Sequence, residues 1–167
     1  EGFVQNCGFT GILEIPYGVT HVGECAFLSC RQFEGDLIIP DNVVEIGRSA
    51  FSYCSGFTGE LRIPESVTTI GAEAFAGCSY LNNLRSMSSV PPAMSSGAFD
   101  GVAKDNFTVE VPHNAVALYR SDPQWSEFKR ISPYYDFSLD RSLIRTLNSE
   151  ESRTHILRVP AGQPWSV

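Results

Sequence analysis

The sequence predicts a β-rich solenoid of 24-residue repeats with parallel strands and short helical turns, then a C-terminal helical cap and a partial all-β segment. This prediction rests on a phenylalanine that recurs every 24 residues and on other residue types that keep the same period. The recurring positions are Phe27, Phe51, Phe75 and Phe99, with Phe3 before them; Ala26, Ala50, Ala74 and Ala98; Gly23, Gly47 and Gly71; Gly11, Gly35 and Gly59; and Pro16, Pro40 and Pro64. Because one such unit cannot bury its apolar face alone, the units must stack around one continuous core.

Each repeat contains two short extended segments. The stretch ELRIP (60–64) alternates polar and apolar residues, as a half-buried strand does, and its proline ends the ladder of hydrogen bonds. VTTIG (67–71) is the second extended segment. Equivalent strands of successive repeats should lie parallel, about 4.8 Å apart. The inward columns are Leu13, Leu37 and Leu61; Ile15, Ile39 and Ile63; Val19, Val43 and Val67; and Val22, Ile46 and Ile70.

A turn follows the second extended segment. AEAF (72–75) is predicted to be a tight turn or a single helical turn that directs Phe75 inward. Gly71, which precedes it, is expected to supply a backbone geometry that a side chain would penalise.

The pattern loosens after the third clear repeat. Ser88 stands where the period expects proline, and the proline pair at 91–92 indicates an enlarged loop. FTVEVP (107–112) is predicted to be one more solenoid strand, because Val109 falls two periods after Leu61.

A helical cap is predicted after this strand, since an uncovered solenoid end exposes a sheet edge and the core. NAVALYRS (114–121) and DPQWSEFKRI (122–131) read as short helices, and Asp122 before proline is a good N-cap. Lys129 and Arg130 suit the C-terminal end of the second helix. Four residues are expected to cover the core: Leu118, Tyr119, Trp125 and Phe128.

The remaining tail has a different pattern. YYDFSLD (134–140) and THILRVP (154–160) read as strands, too few for an independent β-sandwich, which takes about 100 residues. We therefore expect residues 1–131 to form the capped solenoid and residues 132–167 to be an N-terminal fragment of a β-sandwich module or a linker. Because the chain opens inside a repeat unit, we expect it to be a piece of a longer protein or a processed form.

The repeats resemble the BspA-type leucine-rich repeats of bacterial surface proteins. The pattern IPxSVxxIGxxAFxxCxxL is present from Ile63 to Leu81, and VPPAMSSGAFDGV (90–102) with VEVPHNAVALYRSDPQWSEFKRI (109–131) resembles that family's capping segment. The resemblance covers residues 2–131, although each clear repeat has one residue more than the commoner 23-residue form. The tail from Ser132 resembles the start of an Ig-like module. This resemblance implies an exported protein of the bacterial cell surface or outer membrane that binds a protein or glycan on host or neighbouring cells.

Charge is distributed unevenly along the chain. The net charge is −7, and residues 1–78 carry ten Asp and Glu against three Arg, whereas residues 79–167 carry nine of each sign. The repeats should therefore repel nucleic acid and anionic membrane surfaces and accept a basic or neutral partner more easily. The sequence has no transmembrane segment, and we expect a monomer.

The cysteines predict buried thiols more than a disulfide framework. Cys30, Cys54 and Cys78 form one column, and stacked side chains that point the same way should remain a ladder of thiols. One bridge stays open as an alternative, either Cys7–Cys25 or Cys25–Cys30. No zinc or other metal site is expected, because there is no CxxC pair and the histidines are scattered.

Nothing in the sequence predicts catalysis or a cofactor. There is no Ser/His/Asp order, nucleophile elbow or glycine-rich phosphate loop, and the glycines mark the repeat. Asp36 stacks on Glu60, and Asp41 on Glu65, which predicts a solvated acidic face. A basic partner or Ca²⁺ docked on that face is the alternative.

The candidate binding face consists of outward strand positions, which are Ile12, Glu14, Asp36, Ile38, Glu60 and Arg62. Two of them are isoleucines at positions where solvent favours polar side chains, a hint of a contact surface. The leading functional prediction is a non-enzymatic extracellular module for protein interaction and adhesion. The alternative is a structural spacer that holds another domain away from the cell surface.

Overall fold

The computed structural model describes residues 7–134, which form a solenoid whose turns contribute strands to two parallel sheets. The larger sheet has the order β2-β4-β6-β8-β9 and the smaller sheet the order β1-β3-β5-β7. The strands are β1 His21–Val22, β2 Gly35–Ile38, β3 Glu45–Ile46, β4 Phe57–Ile63, β5 Thr69–Ile70, β6 Asn83–Ser86, β7 Ala93–Met94, β8 Thr108–Pro112 and β9 Arg130–Tyr134. The helix α1 is Val116–Ser121, and a 3-10 helix spans Trp125–Glu127. The predicted solenoid of parallel strands is confirmed.

Strand pairing follows the repeat. Leu37 pairs with Leu61 and Ile46 with Ile70, each one period apart, and the inward members of these columns are fully buried. Arg62, between Leu61 and Ile63, is exposed. The sequence alternation thus translates directly into one face packed on the core and one in solvent.

The recurring phenylalanines form a stack that runs along the core. Ring centroids are 5.2 Å apart between Phe27 and Phe51, 5.5 Å between Phe51 and Phe75, and 5.0 Å between Phe75 and Phe99. A repeat of constant length returns each ring to the same position on the next turn, so the period in the sequence and the pitch of the solenoid are one property.

The segment that contains each of these phenylalanines is the tight turn rather than the helical turn. Its backbone N–H groups donate to the next repeat: Phe51 to the Ala74 carbonyl at 2.8 Å and Tyr53 to the Ala76 carbonyl at 2.6 Å. Tyr53 has φ 60°, a left-handed backbone conformation, as does Ser49 in the same turn, at φ 51°.

Gly71 is required for a reason other than the predicted one. Its φ is not positive; instead, a Cβ there would lie 2.6 Å from the backbone nitrogen of Arg48 and 2.7 Å from the carbonyl carbon of Gly47. Close approach of two successive turns excludes a side chain at this position.

We expect Gly71→Ala to lower the free energy of unfolding by roughly 1–3 kcal/mol, because backbone atoms of the neighbouring turn cannot move aside cheaply. Gly18→Ala is the matched control, since a Cβ there meets nothing within 4 Å, and it should change stability by no more than about 1 kcal/mol. Urea denaturation of both variants measures the difference, and equal stabilities would contradict the steric explanation.

The loosened fourth repeat remains in register. Leu61 pairs with Leu84, and Leu84 with Val109, so a 23-residue turn is followed by a 25-residue turn. The two deviations compensate, which confirms that Val109 lies two turns after Leu61. The loop at 87–92, which contains the two prolines, precedes β7.

The predicted cap is present. Asp122 Oδ1 accepts hydrogen bonds from the backbone N–H groups of Gln124 (2.9 Å) and Trp125 (3.0 Å), so it caps the 3-10 helix. Tyr119, Trp125 and Phe128 are buried as predicted. The prediction was wrong for Leu118, which is 50% exposed because it lies on the outer side of the short helix α1.

The chain then adds β9, which runs parallel to β8 with Ile131 opposite Val109. The predicted boundary after residue 131 falls inside this strand. Phe3 and, apart from Tyr134, both predicted strands of the tail lie outside the described residues.

A disulfide joins Cys7 to Cys30, with Cα atoms 5.0 Å apart. Neither pairing left open by the sequence, Cys7–Cys25 or Cys25–Cys30, is present, and Cys30 is not a free thiol. Cys7 precedes Cys30 by 23 residues, one short of the period, so it does not belong to the column of Cys30, Cys54 and Cys78. Cys54 and Cys78 remain buried thiols, as predicted.

We expect thiol titration to separate the five cysteines into three groups. In the native protein only the half-buried Cys25 should react readily, because Cys54 and Cys78 are buried and donate to the carbonyls of Phe27 (2.9 Å) and Phe51 (3.1 Å). Denaturation should raise the number of reactive thiols to three, and subsequent reduction should raise it to five. Five reactive thiols in the denatured, unreduced protein would contradict the disulfide.

Stability should fall at alkaline pH. Burial raises the pKa of the Cys54 thiol from 9.0 to about 12 and raises that of Cys78 as well. Because both pKa values are higher in the folded state than in the unfolded state, the two thiols contribute fully to the free energy of unfolding below pH 9. This contribution is lost as the pH rises toward 12. Each thiol should lower the free energy of unfolding by up to about 1.4 kcal/mol for each pH unit above 9.

Urea midpoints at pH 8 and pH 10 measure this loss. The double variant Cys54→Ala/Cys78→Ala is the control, because it lacks both thiols and should show a much smaller decline. An equal decline in the two proteins would refute the assignment to these thiols.

Candidate binding face

The outward side of the larger sheet presents side chains in rows, because its strands are parallel and in register. One row consists of Ile38, Arg62, Arg85, Glu110 and Ser132, and a second of Glu60, Asn83, Thr108 and Arg130. A partner that lies along either row would meet side chains from several consecutive turns.

All six predicted residues lie at outward positions. Ile12 is 75% exposed and Ile38 is 51% exposed, while Glu14 and Arg62 are also exposed. Leu13 and Ile15, on either side of Glu14, pack against the core, so the alternation continues into the first described turn.

Asp36 and Glu60, the two remaining members, have a structural connection. Asp36 Oδ1 accepts a 2.8 Å hydrogen bond from the backbone N–H of Glu60, and a Cβ at Gly59 would collide with this carboxylate. The bond lies at the register shift between β2 and β4, where the offset between paired residues changes from 22 (Gly35 with Phe57) to 24 (Leu37 with Leu61). The repulsion between the stacked carboxylates of Asp36 and Glu60 is therefore compensated by a backbone N–H donor as well as by solvent.

Arg85 is the central charged residue of the face, and it is not among the six predicted residues. Its Nη2 lies 2.6 Å from Glu110 Oε2 and 3.8 Å from Glu60 Oε2, and its Nε donates to the same Glu110 oxygen at 3.0 Å. Burial alone would lower the pKa of Arg85, but the hydrogen bonds to Glu110 and the two carboxylate charges outweigh it, and the pKa is raised. Asn83 Nδ2 also donates to Glu60, at 3.2 Å.

Tyr134 of β9 completes this arrangement. The guanidinium carbon of Arg85 lies 5.6 Å from the centroid of the Tyr134 ring, within cation–π range, and the Tyr134 hydroxyl is 3.7 Å from Met87 Sδ. A signal for Arg85 was available: the dipeptide Leu84-Arg85 repeats Leu61-Arg62. Tyr134 had no such signal, because β9 follows the cap and not a repeat.

The acidic columns do not assemble a cation site in the described part of the chain. Between residues 7 and 134, no three or more His, Cys, Asp or Glu side chains are grouped as metal ligands. Asp41 and Glu65 are both exposed.

Within residues 7–134, no helix has the length and apolarity needed to cross a bilayer.

Comparison with protein families matches the chain to the BspA type leucine-rich repeat region. It covers residues 2–117 in six copies. No curated protein matches the chain.

Proposed function

Because this chain belongs to the BspA-type leucine-rich-repeat family, we propose that it is a non-enzymatic extracellular module for protein interaction and adhesion. It is exported to the bacterial cell surface or outer membrane and binds a protein or glycan on host or neighbouring cells. The binding face is the outward side of the larger sheet together with the turn that precedes it, and it includes Ile12, Glu14, Asp36, Ile38, Glu60 and Arg62.

The observation that carries this proposal is the exposure of two isoleucines on a rigid face. Ile12 and Ile38 project from consecutive turns whose inward side chains are packed in the core. Because hydrogen bonds between successive turns already order the backbone of this face, binding costs little backbone entropy, which favours affinity from surface contacts. The core is filled by inward strand side chains and by the stacked phenylalanines, which supports a function on the surface instead of in an interior site.

The Cys7–Cys30 disulfide supports export. Disulfides form and persist in oxidising compartments such as the periplasm and the cell surface and are rare in the reducing cytosol. The acidic character of residues 1–78 argues against nucleic acid as the partner.

The test is adhesion of beads coated with the full chain to extracellular-matrix proteins and to cells. The variant Ile12→Ser/Glu14→Gln/Ile38→Ser/Arg62→Gln removes exposed face residues but leaves Asp36 and Glu60, whose hydrogen bond the fold uses. We expect its adhesion to fall by about tenfold or more, the equivalent of 1.4 kcal/mol.

The matched control alters four exposed positions of the smaller sheet and its flank: His21→Gln, Val44→Ser, Glu45→Gln and Ala93→Ser. It should adhere like the unmodified chain. If the unmodified chain adheres to nothing, or the face variant adheres as well as the control, the face is not a binding site and the spacer alternative is favoured.

A further inference from the structure

The outward side of the larger sheet divides into two parts of different electrostatic character. Its outward positions up to residue 78 carry Glu14, Asp36 and Glu60 against Arg62, whereas those after residue 78 carry Glu110 against Arg85 and Arg130. The N-terminal part therefore has a net negative charge and the C-terminal part does not.

In the C-terminal part, the charged side chains of the strands have hydrogen-bond partners. Arg85 pairs with Glu110 and lies over Tyr134, and Arg130 Nη2 donates to Asn106 Oδ1 at 3.2 Å. A partner that docked there would have to break these contacts and restore them with its own groups, so little net affinity would result.

The N-terminal part is different. Glu14 and Asp41 form no ion pair with any residue in the range 7–134, and both are exposed. Ile12 lies two residues before Glu14 and Ile38 one period after it. Tyr17, 69% exposed, lies one period before Asp41, and its carbonyl accepts a 2.8 Å hydrogen bond from Asn42 Nδ2. We call these residues the N-terminal patch: Ile12, Glu14, Tyr17, Asp36, Ile38 and Asp41.

We infer that the partner docks on the N-terminal patch through a protein segment in which apolar side chains are flanked by lysine or arginine. This inference rests on the proposed function and names the chemistry of its partner. The exposed isoleucines and the tyrosine supply apolar contact area, and aromatic residues are enriched at such contacts. The uncompensated carboxylates favour cations, which steer the encounter and reject acidic segments.

The test uses two fluorescent peptides, one a repeated Lys-Val-Ser triplet and the other a repeated Glu-Val-Ser triplet, titrated with the full chain. Anisotropy should report binding of the lysine peptide at least about tenfold tighter than binding of the glutamate peptide. The affinity should fall as salt rises from low to physiological concentration, because exposed charges are screened over about 8–10 Å.

Two variants distinguish docking on the patch from general attraction of a cation to an acidic protein. Ile12→Ser/Ile38→Ser changes no charge and should weaken the lysine peptide about tenfold. Leu118→Ser/Asp105→Asn removes an exposed apolar residue and an exposed acid far along the chain and should leave binding unchanged.

Equal affinity for the two peptides, no binding of either, or an Ile12→Ser/Ile38→Ser variant that binds like the unmodified chain would overturn the inference. The bead adhesion assay is independent of these peptides. Adhesion that depends on the face, together with no preference for the lysine peptide, would reject this partner and leave the proposed function standing.

Discussion

Replacing Phe75 with alanine should lower the free energy of unfolding by about 4 kcal/mol, within the range found for buried phenylalanines. Phe75 is fully buried, with rings stacked on both sides: Phe51 at 5.5 Å and Phe99 at 5.0 Å. The substitution removes both stacking contacts and leaves a cavity that the neighbouring turns cannot close, because their backbones are fixed by hydrogen bonds along the axis.

Phe9→Ala is the matched control for this prediction. Phe9 occupies the column of Phe33 and Phe57, but it is 64% exposed and should contribute less than about 1 kcal/mol. Urea denaturation followed by far-UV circular dichroism compares the two variants. A Phe75→Ala protein no less stable than Phe9→Ala would mean that the stack does not hold successive turns together.

The effect should extend beyond one position, because a turn in a solenoid contacts only its neighbours. Loss of the ring at 75 weakens both of its interfaces, so hydrogen exchange should accelerate first in β5 and β4 and less in β1. Such a gradient distinguishes a stack of turns from a globular core, in which the loss would be shared by all elements.

The core could be predicted well from the sequence because a constant spacing determines which residues of successive turns lie over one another. A residue that returns every 24 positions, such as Phe51, must lie over its predecessor if the turns have equal length. The fourth turn is one residue shorter than the period and the fifth is one residue longer. Counting one period from Arg62 therefore reaches Ser86 instead of Arg85, whereas counting two periods from Leu61 reaches Val109 correctly. To place Arg85, one must also know where within the fourth turn the residue is missing, and the period does not give this.

Side-chain roles were less predictable than side-chain directions. The alternation placed Asp36 outward, but its hydrogen bond to the Glu60 N–H depends on the register shift between β2 and β4, which no pattern of residue types reveals. The Cys7–Cys30 disulfide likewise joins residues 23 apart, one short of the period, so the repeat pattern does not pair them. Contacts of Tyr134 depend on the path that the chain takes around the cap to reach β8.

Trp125→Ala should also reduce stability by about 3–5 kcal/mol, because it opens the C-terminal end of the core. Trp125 is fully buried, and its Nε1 donates a 2.9 Å hydrogen bond to the Pro92 carbonyl. Its ring contacts Tyr119 at 5.0 Å in an edge-to-face arrangement and lies 6.4 Å from Phe99, the last ring of the stack. One side chain therefore joins the cap to the loop before β7 and to the repeat core.

Two further variants divide this effect into its parts. Trp125→Phe keeps most of the apolar contact but leaves the Pro92 carbonyl without its donor, which should cost about 1–3 kcal/mol. Leu118→Ala, at the exposed cap position, should change stability by no more than about 0.5 kcal/mol. Hydrogen exchange should be faster in β8 and β9 of Trp125→Ala and unchanged in β1 and β3, because only the last turns lose a neighbour. Were Trp125→Ala as stable as Leu118→Ala, the solenoid would not need its cap, and burial of Phe99 would have to be maintained by the strands alone.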